Sequence, residues 1–296
     1  VGFMETHRLA AVSGAFAKTG PRGDGRYVRP PTPLPDTRQT RDDMADFIES
    51  AKEYDLGVGM VLDALDQAGL AENTLVINTT DHGVPFPPMK CHLTDHGIGV
   101  MLILRGPGGF SGGKVCDAMV SQIDLFPTIC ELAGLDEPDW LEGTSLAPLA
   151  SGETEQVREA VFSEVTFHAA YEPQRCVRTP RWKYIRRYGE RVRPVLSNMD
   201  TGTSKGYLVE HGLADRRIAL EQLYDLCFDP NETHNLAGDP ACAPVLEDMR
   251  RRLGQWMEAT TDPLLQGPVP PPAGAVVSSQ DDPAPETIRD RQEKKG

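Results

Sequence analysis

The stretch Asn73-Thr74-Leu75-Val76-Ile77-Asn78-Thr79-Thr80-Asp81-His82-Gly83 decides the fold. Its first half is β-branched and apolar and predicts a buried strand; the tetrapeptide that follows, Thr80-Asp81-His82-Gly83, is polar and turn-forming. A strand that breaks off into Asp-His-Gly places a carboxylate and an imidazole at the carboxyl end of a sheet, where open α/β sheets bind ligands. Both groups can ligate a divalent metal. Taken alone, the tetrapeptide fits equally a turn capped by Asp81 with His82 on the surface.

Working backward, Met44, Phe47, Ile48, Ala51, Tyr54, Val58, Val61, Leu62 and Leu65 recur at three- and four-residue spacing from Thr40 onward. This is one buried face of a long helix, with a capping pattern over Thr40 to Asp43 and Gly69 as its stop. Residues 8–39, rich in Gly and Pro, read as a surface loop. Working forward, Val100 to Leu104 predicts a second buried strand, and Ile123 to Thr128 leads into a short helix ended by Gly134. Helix then strand, repeated, predicts an α/β domain: a mainly parallel sheet sandwiched by helices.

Around residue 150 the character changes. Eight basic residues lie between Arg175 and Arg193, interleaved with Trp182, Tyr184, Ile185 and Tyr188. They predict exposed antiparallel strands of a smaller C-terminal subdomain, over 151–265, joined by a last amphipathic helix after Asp239-Pro240. Residues 1–150 are then the catalytic α/β part, and 266–296, dominated by Pro, Gly, Ser and charge, a disordered tail.

Composition sets limits. The 296 residues allow about two domains. At 39% hydrophobic and 25% charged the chain is of globular type. A net charge of −14 removes the electrostatic footprint of a nucleic-acid binder. No apolar run has the length of a membrane span. The six cysteines include no C-x-x-C pair, and free thiols are preferred over a disulfide. Neither compartment nor oligomeric state can be read. Val1-Gly2-Phe3-Met4 resembles the end of a strand, so the chain is expected to lack its beginning.

The block from Asn73 through Asp81-His82-Gly83, Lys90 and Gly97-Ile98-Gly99-Val100 to Leu102-Ile103-Leu104-Arg105-Gly106-Pro107 resembles the core of the sulfatase family. Further matches follow in family order at Val120 to Thr128, Gly143-Thr144-Ser145-Leu146, Arg178 to Tyr184 and Glu221 to Ala237. Glu5-Thr6-His7-Arg8, Leu34-Pro35-Asp36-Thr37 and Gly83-Val84-Pro85-Phe86-Pro87 are similar to the heparan N-sulfatase (sulfamidase) branch, although His82 stands where sulfamidases carry asparagine.

The resemblance implies an alkaline-phosphatase-like sulfatase fold, its N-terminal part missing. It implies Asp81 and His82 as half of a Ca2+ or other divalent-metal site, Lys90 on a sulfate oxygen and His7 near the leaving-group oxygen. It gives Asp95-His96-Gly97 a structural role. His92, close to Lys90, is placed to line the pocket but matches no assigned role, and His168 could approach the substrate from the smaller subdomain but is not assigned. The family's nucleophile is a formylglycine made in a Cys/Ser-X-Pro-Ser-Arg motif; no such motif occurs here, so it is expected upstream of Val1 and this chain alone is expected to be inactive.

The function so implied is hydrolysis of sulfate esters or N-sulfates, on a small-molecule or glycan substrate. A phosphonate monoester hydrolase or phosphodiesterase of the same superfamily, and a non-catalytic sulfated-glycan-binding protein using the basic strands, are the alternatives.

Overall fold

The computed structural model describes residues 1–9 and 14–285. In chain order the strands are β1 (Arg8–Leu9), β2 (Ala15–Phe16), β3 (Val76–Thr79), β4 (Leu102–Arg105), β5 (Val161–Phe167), β6 (Tyr171–Arg178), β7 (Trp182–Arg187) and β8 (Glu221–Asp225). The helices are α1 (Arg38–Gln67), α2 (Asp95–Ile98), α3 (Leu125–Ala133), α4 (Ala147–Ser151), α5 (Thr203–Glu210) and α6 (Ala243–Ala259).

Helix α1 begins earlier than its pattern suggests. Thr37 caps it, exchanging side-chain bonds with Thr40, and the polypeptide leaves through Ala68 and a left-handed Gly69 (φ +69°). Its fully buried residues, Thr40, Asp43, Ala45 and Ser50, all lie in its first half. In the second half, Tyr54, Val58, Val61 and Leu62 line an open cleft together with Val76 and Ile77 of β3. The apolar stripe is therefore real, but only part of it is covered.

The expected mainly parallel sheet is represented here by two strands, and these run antiparallel. Val76 lies opposite Arg105, and Thr79 opposite Leu102. The reason is the connection between them: residues 80–101 hold only the one-turn helix α2, not the long crossover helix that a parallel pair needs.

The second half is a four-stranded antiparallel meander, β5-β6-β7-β8. Its side chains alternate, and both faces are covered. Val177, Tyr184 and Leu223 pack on Leu246, Met249, Leu253 and Met257 of α6, where Phe162 and Trp256 stack with ring centroids 5.1 Å apart. Cys176, Ile185 and Tyr224 point the opposite way, onto Leu93 and Ile98 of the catalytic side.

The basic strands are consequently not an exposed patch. Arg175 and Lys183 are buried; Arg175 pairs with Asp262 and Glu164, Arg187 with Glu172, Arg181 with Asp225, and Arg178 and Lys183 with Asp95. These pairs take up the charge of the buried members, while Arg181, Arg186 and Arg193 remain exposed.

The segment expected to be a disordered tail is ordered over its described length. Ser278 N donates to Ala169 O (2.8 Å), Gln280 Nε2 to Tyr171 O (2.6 Å) and Ser197 Oγ to Ser279 O (3.0 Å). Residues 286–296, the rest of that segment, lie outside the described residues. All six cysteines are free thiols. Among the described residues no helix is long and apolar enough to cross a membrane.

Candidate active site

A cleft of about 800 Å3 runs between the first seven residues, the second half of α1, and the carboxyl end of β3. Asp81, His82, His7 and Lys90 all line it. Sequence positions more than 80 residues apart are thus brought to one place.

The Asp81-His82 turn is fixed from both sides. Upstream, the Thr80 carbonyl accepts from Gln122 Nε2 (2.6 Å), and Thr80 Oγ1 accepts from the Met101 N–H (3.3 Å). Downstream, the Gly83 N–H donates to Gly97 O (2.8 Å) and the Val84 N–H to His96 O (3.1 Å). The two Asp-His-Gly segments therefore dock backbone to backbone. Both glycines are required by close approach: a Cβ on Gly83 would lie 2.0 Å from His96 O, and one on Gly97 2.1 Å from His92 O.

In this turn the Asp81 side chain is 88% exposed, and its Oδ2 lies 3.7 Å from His82 Nε2. His82 Nδ1 bonds Gly83 O at 2.7 Å. A carbonyl only accepts, so Nδ1 carries the proton, and in the neutral ring the Nε2 lone pair is free to ligate. His7 repeats the device, with Nδ1 donating to Arg8 O at 2.6 Å.

Lys90 is buried, with Nζ 3.0 Å from Asp200 Oδ2. Its loop is anchored by Phe86 and Met89, which are buried against Phe16 and Leu34. Asp95 of the second Asp-His-Gly is engaged by Arg178 and Lys183, a structural use.

Three residues that sequence reasoning gave no role belong to this neighbourhood. Asp200 arrives from the small subdomain. His168, in the β5–β6 turn, has its imidazole pKa pushed below the usual value by burial, and then by the positive charge of Lys90, with His82 and His7 also contributing and Asp200 opposing.

The third, Arg8, is buried. It forks onto Asp43 with two 2.9 Å bonds, donates Nε to Pro85 O (2.7 Å) and stacks 4.0 Å from the Phe16 ring centroid. It ties the His7 segment to the loop after His82. The only local signal for Arg8 was its place beside His7; His168 was legible only as a histidine of the smaller subdomain able to approach the substrate, and for Asp200 the sequence carried no signal.

Among the described residues no three His, Cys, Asp or Glu side chains come together as a metal site. Asp81 and His82 are a two-donor set of the right chemistry, an exposed carboxylate whose Oδ1 accepts the His82 N–H at 3.1 Å and an imidazole lone pair. A hard divalent cation needs further oxygen donors.

Residues 1–135 match the sulfatase family, and residues 89–200 match the family described as N-sulphoglucosamine sulphohydrolase, C-terminal. An ulvan-active sulfatase of Formosa agariphila is 31% identical over 227 residues, covering 75% of this chain and 45% of its own length. The N-sulphoglucosamine sulphohydrolase of Homo sapiens is 30% identical over 261 residues, covering 79% and 51%.

Among solved structures, a 2-O GAG sulfatase superposes with a TM-score of 0.61 at 29% identity, over 76% of this chain and 45% of its own. The phosphonate monoester hydrolase of Agrobacterium radiobacter superposes with a TM-score of 0.56 at 25% identity, over 75% and 43%. This chain spans about half the length of the curated relatives it matches.

The architecture is that of the alkaline-phosphatase-like sulfatases, as the α/β expectation held. The chain belongs to the sulfatase family.

Proposed function

We propose that this chain forms one wall of a sulfatase active site that hydrolyses sulfate esters or N-sulfates of sugars. The observation that carries the reading is the convergence of Asp81, His82, Lys90 and His7 on one cleft. Support for a sulfated sugar comes from two relatives in this family, one named N-sulphoglucosamine sulphohydrolase and one named Delta 4,5-hexuronate-2-O-sulfatase.

In this reading Asp81 and His82 would hold a divalent cation, Ca2+ by the resemblance, with the remaining donors coming from sequence outside this chain. Such a cation would supply Lewis-acid polarisation of the sulfate and offset its developing charge. Lys90 presents an ammonium to a sulfate oxygen, and in the substrate-free cleft Asp200 holds that ammonium in place. The proton fixed on His7 Nδ1 by Arg8 O directs Nε2 at the substrate. As imidazolium it can give a proton from Nε2 to the departing oxygen or nitrogen.

The chain contains no Cys/Ser-X-Pro-Ser-Arg sequence, so the nucleophile, in the family a formylglycine, would come from sequence outside these 296 residues. The decisive assay is turnover of an aryl sulfate and of an N-sulfated glucosamine by the full reading frame. Loss of turnover on Asp81→Ala is expected, and unchanged turnover would overturn the metal role.

One observation favours a second reading. The Asp81-His82 pair and the similarity to a phosphonate monoester hydrolase make phosphorus esters the alternative substrate. Preference for a phosphonate monoester over the aryl sulfate would select it. The non-catalytic glycan-binding alternative is weakened, because Arg175, Lys183 and Arg187 of the basic strands are buried in pairs with acidic side chains.

A further inference from the structure

We propose that Lys183 of the small subdomain is a positioning residue for the Asp81-His82 turn, acting through Asp95 and helix α2. The path is made of direct bonds. Lys183 is fully buried on β7, and its Nζ lies 2.7 Å from Asp95 Oδ1 and 3.4 Å from Glu232 Oε1. Arg178 of β6 binds the same Asp95 carboxylate at 3.1 Å. Glu232 Oε2 accepts the Asp95 backbone N–H at 2.5 Å. The N-terminus of α2 is therefore held by three side chains, all from the small subdomain.

The other end of the path is the site. The carbonyls of His96 and Gly97, in that same one-turn helix, accept the N–H groups of Val84 and Gly83, directly after His82. With a Gly83 Cβ position only 2.0 Å from His96 O, the two backbones are in contact and neither can shift alone. A helix of four residues has little stability of its own, so its placement is set by what grips it. Here that grip is a cluster of two cations and two carboxylates, buried at Lys183 and Glu232 and partly exposed at Arg178 and Asp95. Removing Lys183 leaves the buried Glu232 carboxylate without its cation.

Leu93, just before α2, and Ile98, its last residue, pack on Cys176, Ile185 and Tyr224 of the same sheet. Apolar contact fixes the distance between the subdomains, while the charge cluster fixes where along the sheet α2 sits. The small subdomain thereby sets the position of the two proposed metal donors without touching them.

The functional meaning of this arrangement rests on the proposed metal role of Asp81 and His82. Its test does not, because it reads the chain itself without turnover. In amide hydrogen exchange on the protein of the full reading frame, Lys183→Met should lower protection of the Gly83 and Val84 amides at least about tenfold more than that of Phe47 in α1 and Leu253 in α6. The His82 ring resonances should shift with it.

Met249→Ala, a cavity on the α6 face of the same sheet, is the control for general destabilisation. It should lower protection broadly and leave His82 where it is. If Lys183→Met does not fold, Arg178→Gln, at a side chain 26% exposed, makes the same selective comparison. Equal loss at Gly83, Val84, Phe47 and Leu253, or no loss at Gly83 and Val84, would overturn the proposal. A failed sulfatase assay would leave it standing as a statement about the turn, so the two failures are distinguishable.

Discussion

Lys90 Nζ lies 3.0 Å from Asp200 Oδ2, an ion pair that joins the loop behind the Asp81-His82 turn to the small subdomain across 110 residues of sequence. Side-chain exposures of 8% and 19% place it largely out of water. Removing one partner of such a pair strands the other charge. Asp200→Ala is expected to cost about 3 kcal/mol of unfolding free energy, read from the midpoint shift in urea. A change under about 0.5 kcal/mol would mean that Lys90 finds water or another partner.

Arg8 makes a parallel case with a geometric twist. Its bonds to Asp43, Pro85 O and Gly14 O use the whole guanidinium fork. Lysine keeps the charge but cannot reproduce the fork. Arg8→Lys should therefore cost at least about 2 kcal/mol in urea unfolding, and near-wild-type stability would show that charge alone suffices.

Two glycines with opposite surroundings give a paired prediction. Gly83→Ala puts a Cβ 2.0 Å from His96 O, and the backbone must move, at a cost of about 1–3 kcal/mol. Gly59 lies within α1, where nothing stands within 4 Å of its Cβ position. Gly59→Ala should stabilise by about 0.5–1 kcal/mol. Thermal melts of the two variants should move in opposite directions.

Lys205 sets a pH signature. Burial pushes its ammonium pKa down to about 8 from the ordinary 10.5, with Asp200 opposing. Its Nζ donates to Leu196 O and Met199 O, each at 2.7 Å, bracing the turn that carries Asp200. Below about pH 8 both the folded and unfolded chains hold this proton, and the cost of burying the charge is fully present. Between about 8 and 10.5 the unfolded chain binds more protons, so this group makes stability rise with pH. Urea midpoints of wild type and Lys205→Met, compared across that range, should differ by this rising contribution.

Much of this architecture was legible in local sequence. The strand before Asp81, the stripe of α1, the Gly134 stop and the alternation of the small sheet are all short-range patterns, and each element is present. The Asp81-His82 turn was legible for the same reason.

What escaped reading depends on distant partners. The charge of Arg175 or Lys183 says nothing of Asp262 or Glu232, so a neutralised, buried sheet looked like an exposed basic one. Asp200 and His168 come near Lys90 because the β5–β8 sheet packs its Cys176 face on Leu93 and Ile98. The Pro- and Ser-rich segment after Gln266 looked disordered because its ordering comes from hydrogen bonds to Ala169, Tyr171 and Ser197, which no composition records.

The central claim is that Asp81, His82, Lys90 and His7 serve one sulfate-hydrolysing site. The most direct measurement is kcat for an aryl sulfate in the protein encoded by the full reading frame, compared between wild type and Asp81→Ala and Lys90→Ala. The account predicts measurable wild-type turnover and a fall of at least about a hundredfold in each variant with the fold intact. Turnover unchanged by Asp81→Ala, or a wild-type protein that cleaves a phosphonate monoester in preference to the sulfate, would contradict it.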